Sequence, residues 1–166
     1  PPANDDRDHP SENNPDCSSN ACNLASPPLR TVVVRGMGGS GKTVTATALL
    51  FDLSIRSQFD AVVFLPFGQD PLLKELQKTM HLQLTGKILD VSLDAEEILA
   101  ALQSAARGRK VLCVLDDIWT KEAFHPFCRL LDDSTASRLL VTTRIHSLVS
   151  GASEFELGLL SPDDSV

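Results

Sequence analysis

Apolar residues gather in short runs separated by segments of mixed polarity, and this pattern predicts strands that alternate with helices. Three valines follow one another in "LRTVVVR" (29–35), and such an unbroken run is typical of a strand buried on both faces of a sheet. Similar runs occur in "DAVVFLPF" (60–67), "KVLCVLDDIW" (110–119), "SRLLVTTR" (137–144) and "EFELGLL" (154–160). Strands that alternate with helices favour an α/β fold, here an open parallel sheet of about five strands flanked by helices.

The segments between these runs carry helical signals. "KTVTATALLFDLSIRSQ" (42–58) is apolar around most of its circumference, which predicts one largely covered helix. Pro71 suits the first turn of a helix that extends to about His81, whereas "GKILD" (86–90) is ambiguous. Asp94 as cap, with Glu97 three residues later, opens a helix that should end before Gly108. Residues 121–132 form an amphipathic helical pattern.

Polarity also divides the chain into two regions. Residues 1–28 are rich in Pro, Asn, Ser and Asp and offer little to bury, so we expect a disordered tail or linker. The folded domain should comprise residues 29–166. "SPDD" (161–164) carries the cap and proline of a helix start directly before the end of the sequence. We therefore expect the chain to be a fragment of a larger protein, truncated at the carboxyl end of this domain.

Composition narrows the functional classes. The net charge is −7, and a mildly acidic domain is a poor generic binder of nucleic acid. No apolar run is long enough to span a membrane. Cys113 and Cys128 fall in a strand pattern and a helix pattern, which favours buried thiols in a reducing, cytoplasmic compartment. Cys17 and Cys22 with His9 provide three ligands, one fewer than structural zinc requires.

The segment after the first strand carries the strongest chemical signal. Gly36, Gly41, Lys42 and Thr43 fit the pattern G-x-x-x-x-G-K-[ST], between a strand and a helix as that motif demands. Glycines let backbone N–H groups converge on phosphate oxygens, the lysine reaches the outer phosphates, and the threonine hydroxyl is a hard ligand for Mg²⁺. The residues predicted to surround the nucleotide are Gly36, Met37, Gly38, Gly39, Ser40, Gly41, Lys42, Thr43 and Val44.

Two further strand ends agree with this interpretation. Asp116 and Asp117 follow five apolar residues, at the sheet edge where ligands of open α/β folds bind. Asp116 is the expected carboxylate on the Mg²⁺ side, acting through water, and Asp117 could orient or deprotonate an attacking water. Arg144 ends "LLVTTR" and could reach the γ-phosphate, because guanidinium pairs well with phosphate oxygens. Asp117 and Arg144 are therefore the candidate catalytic residues.

Taken in this order, the motifs resemble the NB-ARC domain, the nucleotide-binding module of plant disease-resistance proteins and of the apoptotic protease-activating factor. "GMGGSGKT" (36–43) is similar to its phosphate loop, "KVLCVLDDIW" to its second motif, and "SRLLVTTR" to its third, which also ends in Thr-Thr-Arg. "FELGLLSPDDSV" (155–166) resembles the next segment of the family, and "FDAVVFLPFGQDP" (59–71) occupies the place of its second strand.

The resemblance implies a signalling ATPase of the STAND class, active in defence, which binds ADP at rest and ATP, with Mg²⁺, when active. It implies that the "TTR" strand lies between the phosphate-loop strand and the "DD" strand. It also implies partner subdomains, helical and winged-helix, and homo-oligomers of the full-length active protein. Val44 stands where the family commonly has a second threonine, and the family's upstream Gly-Arg motif does not occur in residues 1–28.

Other functions of the phosphate loop remain open. A small-molecule or nucleotide kinase would need an arginine-bearing lid, and "KEAFHPFCRLLDD" (121–133) after the aspartates shows no evident lid. A GTPase usually reads guanine with Asn-Lys-x-Asp, which the sequence lacks. A module that has lost nucleotide binding would not be expected to keep Lys42, Thr43 and Asp116. Trp119 is expected to be a packing residue that fixes the loop after the aspartates.

Overall fold

The computed structural model describes residues 31–90, 92–128, 130–131 and 134–158. The predicted polar tail and the "SPDD" helix start lie outside these residues. Five strands form one parallel sheet in the order β2-β3-β4-β1-β5. The strands are β1 (Thr31–Gly36), β2 (Ala61–Pro66), β3 (Val111–Ile118), β4 (Arg138–Thr143) and β5 (Ser153–Leu157). The predicted parallel α/β sheet is confirmed, and β4 lies between β1 and β3 as the family resemblance implied.

Five helices accompany the sheet in the part of the chain that the structure describes. They are α1 (Lys42–Phe51), α2 (Leu53–Arg56), α3 (Leu73–Thr85), α4 (Ala95–Ala106) and α5 (Lys121–Cys128). The larger hydrophobic cluster packs one sheet face, including Cys113 and Leu115 of β3, against α3, α4 and α5. The smaller cluster packs Val114 of β3 against α1 through Ala46. Both faces of β3 are therefore covered, which explains why its sequence does not alternate between apolar and polar residues.

The segment 42–58 is not the single, largely covered helix that its composition predicted. The helix stops at Phe51, and Asp52 has an extended backbone whose side chain accepts the N–H of Ser54 and so caps the short α2. Phe51 and Leu53 keep 74% and 79% of their surface exposed. Apolar composition around a whole helix therefore did not indicate burial here, because α1 contacts the sheet through a narrow stripe.

Two other helix boundaries differ from the expectation. Pro71 precedes α3, whose first residue is Leu73, so this proline lies outside the first turn. The helix also continues past His81 to Thr85 and ends at Gly86, which has a φ of 72° and donates its N–H to the carbonyl of Leu82. Glycine in the left-handed conformation was the stronger stop signal. The ambiguous segment 86–90 forms neither helix nor strand.

The capping box predicted for α4 is present in both directions. The Asp94 carboxylate accepts the N–H of Glu97 at 2.8 Å, and the Glu97 carboxylate accepts the N–H of Asp94 at 2.9 Å. The stripe of Ile98, Leu102 and Ala106 is fully buried in the larger hydrophobic cluster. Local sequence and tertiary packing therefore agree in this helix.

Replacement of Asp94 by alanine should destabilise the domain, because one arm of the box is lost and an N–H of the first turn is left without its acceptor. We expect the free energy of unfolding to fall by about 1 kcal/mol. Urea denaturation followed by circular dichroism measures this. Glu96→Ala is the matched control, since Glu96 lies in the same turn but takes no part in the box. Equal losses in both variants would contradict a specific capping role.

The two edges of the sheet are finished differently. On the β2 edge, the Gln83 amide of α3 accepts the N–H of Phe64 at 2.8 Å and donates to the carbonyl of Phe64 at 2.9 Å. A side chain thus occupies the hydrogen-bonding positions that a further strand would use, which is one way to protect an edge. On the β5 edge, Arg35 of β1 is paired with Glu154 and Glu156 of the outer strand.

Candidate functional site

The loop between β1 and α1 owes its shape to glycine. Gly39 and Gly41 have φ values of 80° and 85°, a backbone conformation that side chains with a Cβ rarely adopt. Gly41 is also the N-cap of α1, so the first N–H groups of that helix face the loop. Gly36 is required for a different reason, because a Cβ there would lie 2.6 Å from both the Ser40 hydroxyl oxygen and the Leu157 carbonyl oxygen. The loop is therefore compact and open to a ligand at the N-terminus of α1.

Lys42 lies inside this loop and not on its surface. Only 7% of the residue is exposed, and its ammonium donates hydrogen bonds to the carbonyl oxygens of Gly36 at 2.8 Å and Met37 at 2.7 Å. These charge-assisted bonds fix the position of the cation within the curl of the backbone. Met37 and Val44 lie at the surface, with 69% and 72% exposure. Of the predicted loop residues, these two can contribute little more than backbone contacts.

Thr43 and Asp116 are brought together from segments 73 residues apart. The Thr43 hydroxyl donates to the Asp116 carboxylate, with its oxygen 2.9 Å from Oδ2 and 3.1 Å from Oδ1. Asp116 is 6% exposed and also accepts a short hydrogen bond of 2.6 Å from the Thr142 hydroxyl. A hydroxyl beside a carboxylate is a hard oxygen donor set that suits Mg²⁺ when phosphate and water supply the other ligands. The described residues contain no cluster of three or more His, Cys, Asp or Glu side chains that could hold a metal unaided.

Asp117 adopts an unusual backbone conformation. The pairing of β3 with β4 is irregular between Leu115 and Ile118, and Asp117 has a φ of 58°, in the left-handed region. Its N–H donates to the Thr142 hydroxyl oxygen at 2.8 Å, the same hydroxyl that donates to Asp116. One threonine on β4 therefore positions both aspartates. The two carboxylates have different neighbours: Asp116 contacts Thr43 and Thr142, whereas Asp117 contacts Trp119 and Arg144.

Arg144 follows β4 and lies beside the phosphate loop. Its Nε is 3.7 Å from Oδ1 of Asp117, and its guanidinium carbon is 4.9 Å from the centre of the Trp119 ring. A Cβ on Gly38 would lie 3.0 Å from Nη1 of Arg144. A side chain at position 38 would therefore require the end of this arginine to shift. The structure thus brings together Lys42, Thr43, Asp116, Asp117 and Arg144, all of which the sequence singled out.

Two residues have a larger part in the site than sequence reasoning gave them. Thr142 was noted only as part of a strand end, yet its hydroxyl bonds both aspartates. Trp119 was expected to be a packing residue, but it belongs to neither hydrophobic cluster of the described chain, and its indole N–H donates to Oδ2 of Asp117 at 3.0 Å. Trp119 lies two residues after Asp117, which was a local signal, whereas Thr142 reaches Asp117 from a strand 25 residues away and gave none.

A parallel sheet with β4 between β1 and β3, and a glycine loop with Lys-Thr leading from β1 into a helix, defines the class of P-loop NTPases. The solved structure of Cdc6p from Pyrobaculum aerophilum has the same fold, with a TM-score of 0.64 at 16% identity, over 81% of this chain and 40% of that one. The family model of the NB-ARC domain matches residues 21–166. The chain therefore belongs to the NB-ARC family, as its motifs indicated.

Curated relatives are plant disease-resistance proteins. The chain is 28% identical over 156 residues to disease resistance protein RPM1 of Arabidopsis thaliana, covering 86% of this chain and 17% of that protein. It is 29% identical to RPP13 of the same species, over 72% of this chain and 15% of that one. For RGA2 of Solanum bulbocastanum the identity is 27%, over 82% and 15% of the two chains. The chain thus spans less than a fifth of the length of these relatives.

Among the described residues, no helix is long and apolar enough to cross a membrane.

Proposed function

We propose that this chain is the ATP- and ADP-binding module of a nucleotide-operated signalling switch that hydrolyses ATP slowly. The observation that supports it best is the convergence of Lys42, Thr43, Asp116 and Arg144, which come from three separate segments, around one glycine loop. A cation, a hydroxyl, a carboxylate and a guanidinium at the N-terminus of a helix suit a Mg²⁺-bound polyphosphate.

Each of these residues has a distinct task in the proposal. The N–H groups of the loop and of the first turn of α1 hold the phosphate oxygens, and the Lys42 ammonium, already inside the loop, bonds the outer phosphates. Thr43 and Asp116 hold Mg²⁺, Thr43 directly and Asp116 through water. Mg²⁺ held by these two residues would supply positive charge to the phosphate oxygens. Arg144 contacts the γ-phosphate and so senses whether the nucleotide is a triphosphate.

Hydrolysis in this proposal depends on Asp117. Its carboxylate does not share the threonine contacts of Asp116 and accepts the indole N–H of Trp119. From that position it accepts a hydrogen bond from a water molecule that attacks the γ-phosphate. One carboxylate of the pair therefore serves the metal and the other serves the water.

The relatives also support a proposal about the setting of the module. Their names are those of disease-resistance proteins, and each is several times longer than this chain. We propose a cytoplasmic regulator of defence in which helical and winged-helix subdomains of the same parent chain join this module. In that setting, homo-oligomers form only in the full-length, ATP-bound state, and neither membrane nor nucleic acid is a partner.

The direct test of the proposed function is nucleotide binding by the chain. We expect labelled ATP and ADP to bind in the presence of Mg²⁺, and unlabelled ATP to compete. GTP serves as the control for the base. Failure of both adenine nucleotides to bind to a folded chain would contradict the proposal.

Asp117→Asn should separate hydrolysis from binding. The asparagine keeps the size of the side chain but cannot take a proton from water, so we expect the hydrolysis rate to fall about 100-fold or more. Affinity for ATP should stay within about twofold, because Mg²⁺ and phosphate contacts are intact. Phosphate release and equilibrium binding measure the two quantities. Asp70→Asn, which changes an exposed carboxylate of the loop before α3, is the matched control. Equal losses of binding and hydrolysis in Asp117→Asn would contradict its separate role.

A further inference from the structure

Trp119 makes two different contacts at the edge of the site. The face of its indole ring lies 4.9 Å from the guanidinium carbon of Arg144, and its N–H donates to Oδ2 of Asp117 at 3.0 Å. The ring is only partly buried and belongs to neither hydrophobic cluster of the described residues. A large aromatic side chain outside the core, bonded to one charged residue of the site and stacked on another, is placed to position them and not to fill space.

The cation–π contact with Trp119 uses none of the N–H donors of Arg144 in a hydrogen bond. A guanidinium uses its flat face to stack on an aromatic ring, while its five N–H donors lie in the plane. Its Nε is 3.7 Å from Oδ1 of Asp117, which exceeds a hydrogen bond, and no hydrogen bond joins this guanidinium to another residue of the described chain. The ring therefore holds the arginine without consuming the donors that a phosphate would need.

Nη1 of the Arg144 guanidinium lies beside the phosphate loop. It lies 3.0 Å from the place where a Cβ on Gly38 would stand. An arginine with 47% of its side chain exposed would ordinarily sample many rotamers, and fixing it on binding costs entropy. Stacking on Trp119 restricts that freedom before the nucleotide arrives.

Resting on the proposed function, we infer that Trp119 is a positioning residue that selects for a terminal phosphate. Its ring holds Arg144 beside the phosphate loop, ready to bond the γ-phosphate, and its N–H holds the carboxylate of Asp117 beside the same place. Because ADP has no γ-phosphate for Arg144 to reach, the ring should strengthen binding of the triphosphate alone. Trp119 thereby contributes to the distinction between ATP and ADP without touching either nucleotide.

Two substitutions separate the contacts of this side chain. Trp119→Phe keeps an aromatic face but removes the N–H, whereas Trp119→Leu keeps apolar bulk and removes both contacts. With a non-hydrolysable ATP analogue and Mg²⁺, we expect Trp119→Leu to bind about two- to tenfold more weakly and Trp119→Phe to stay within about twofold of wild type. Affinity for ADP should change in neither variant. Hydrolysis of ATP should fall in both, because both release the carboxylate of Asp117.

A double-mutant cycle tests whether the ring acts through the arginine. Arg144→Ala should lower the affinity for the ATP analogue and leave the affinity for ADP unchanged. Adding Trp119→Leu to Arg144→Ala should cause no further loss of affinity for the analogue. If the tryptophan were merely structural, Trp119→Leu would lower the affinity for both nucleotides, or its loss of affinity would add to that of Arg144→Ala. Either result overturns the inference. If Arg144→Ala itself leaves the ATP analogue unaffected, the γ-phosphate role in the proposed function fails first, and the inference with it.

Intrinsic fluorescence gives a second readout, because Trp119 is the only tryptophan in the chain. The ATP analogue should alter the emission of wild type more than ADP does, because its γ-phosphate bonds the guanidinium that lies over the indole ring. In Arg144→Ala, which retains the tryptophan, the two nucleotides should produce the same spectrum. An undiminished difference between them in Arg144→Ala would show that the indole senses the nucleotide by another route and would overturn the inference.

Discussion

Replacement of Lys42 by alanine is expected to abolish nucleotide binding. The ammonium is the buried cation of the phosphate loop, and alanine removes every charge-assisted hydrogen bond it could give to the outer phosphates. Each such bond is worth about 1.5–3 kcal/mol, so loss of two should weaken both ATP and ADP by roughly 100-fold or more. Filter binding or calorimetry with either nucleotide measures the effect.

The same ammonium also ties two loop carbonyls, so a folding control is needed. Lys78→Ala removes a lysine that is paired with Glu75 on the surface of α3, and it should leave binding unchanged. The circular dichroism spectrum of Lys42→Ala should match that of wild type, because the loop lies outside the two hydrophobic clusters. Undiminished binding by a folded Lys42→Ala chain would contradict the assignment of this loop to phosphate.

Asp116→Asn is expected to remove the dependence of binding on Mg²⁺. The asparagine retains one oxygen that can accept the Thr142 hydroxyl. It has one oxygen instead of two for the metal side of the site, and it lacks the negative charge. Residues that orient metal ligands through water typically change metal affinity by 10–100-fold, and we expect a loss of about this size for ATP in the presence of Mg²⁺. In EDTA the variant and the wild type should bind equally.

The comparison with Asp117→Asn makes this prediction specific. Both substitutions remove one carboxylate charge from adjacent residues, so a general electrostatic effect would make them alike. In the structure, however, Asp116 accepts hydrogen bonds from the hydroxyls of Thr43 and Thr142. Asp117 contacts Trp119 and Arg144 instead. Identical profiles for the two variants across a Mg²⁺ titration would show that these separate roles are wrong. Thermal unfolding without nucleotide controls for the loss of the buried carboxylate.

The parts of the fold that local sequence encodes were predicted well. Strands β1, β3 and β4 are unbroken apolar runs because both faces of each are covered, and the box at Asp94 identified the start of α4. The break at Asp52 was missed although Asp-x-Ser is a capping signal, because the apolar residues around it suggested a continuous helix. Local propensity and hydrogen bonding decided the boundary there, and composition did not.

The site was predicted residue by residue but not in its connections. A motif identifies Lys42 or Asp116 since the chemistry requires those residue types at those places. The bulge at Asp117 depends on how β3 pairs with β4, which is a contact between segments distant in sequence. Thr142 bonds both aspartates only because β4 lies beside β3, so neither segment alone reveals its part.

The strand order also constrains how the domain can fold. β1 pairs only with β4 and β5 in the described sheet. The strands β2 and β3 and the five described helices all lie between β1 and β4 along the chain. During synthesis, β2 and β3 can pair while β1 still lacks a neighbour, since a chain emerges from its amino terminus. Inserting β4 between β1 and β3 closes a long loop of the chain. The entropy lost in that closure is offset only once β4 pairs with both neighbours. The phosphate loop and the aspartates therefore meet only when β4 arrives, so a nascent chain acquires its nucleotide pocket as one of the last events of folding.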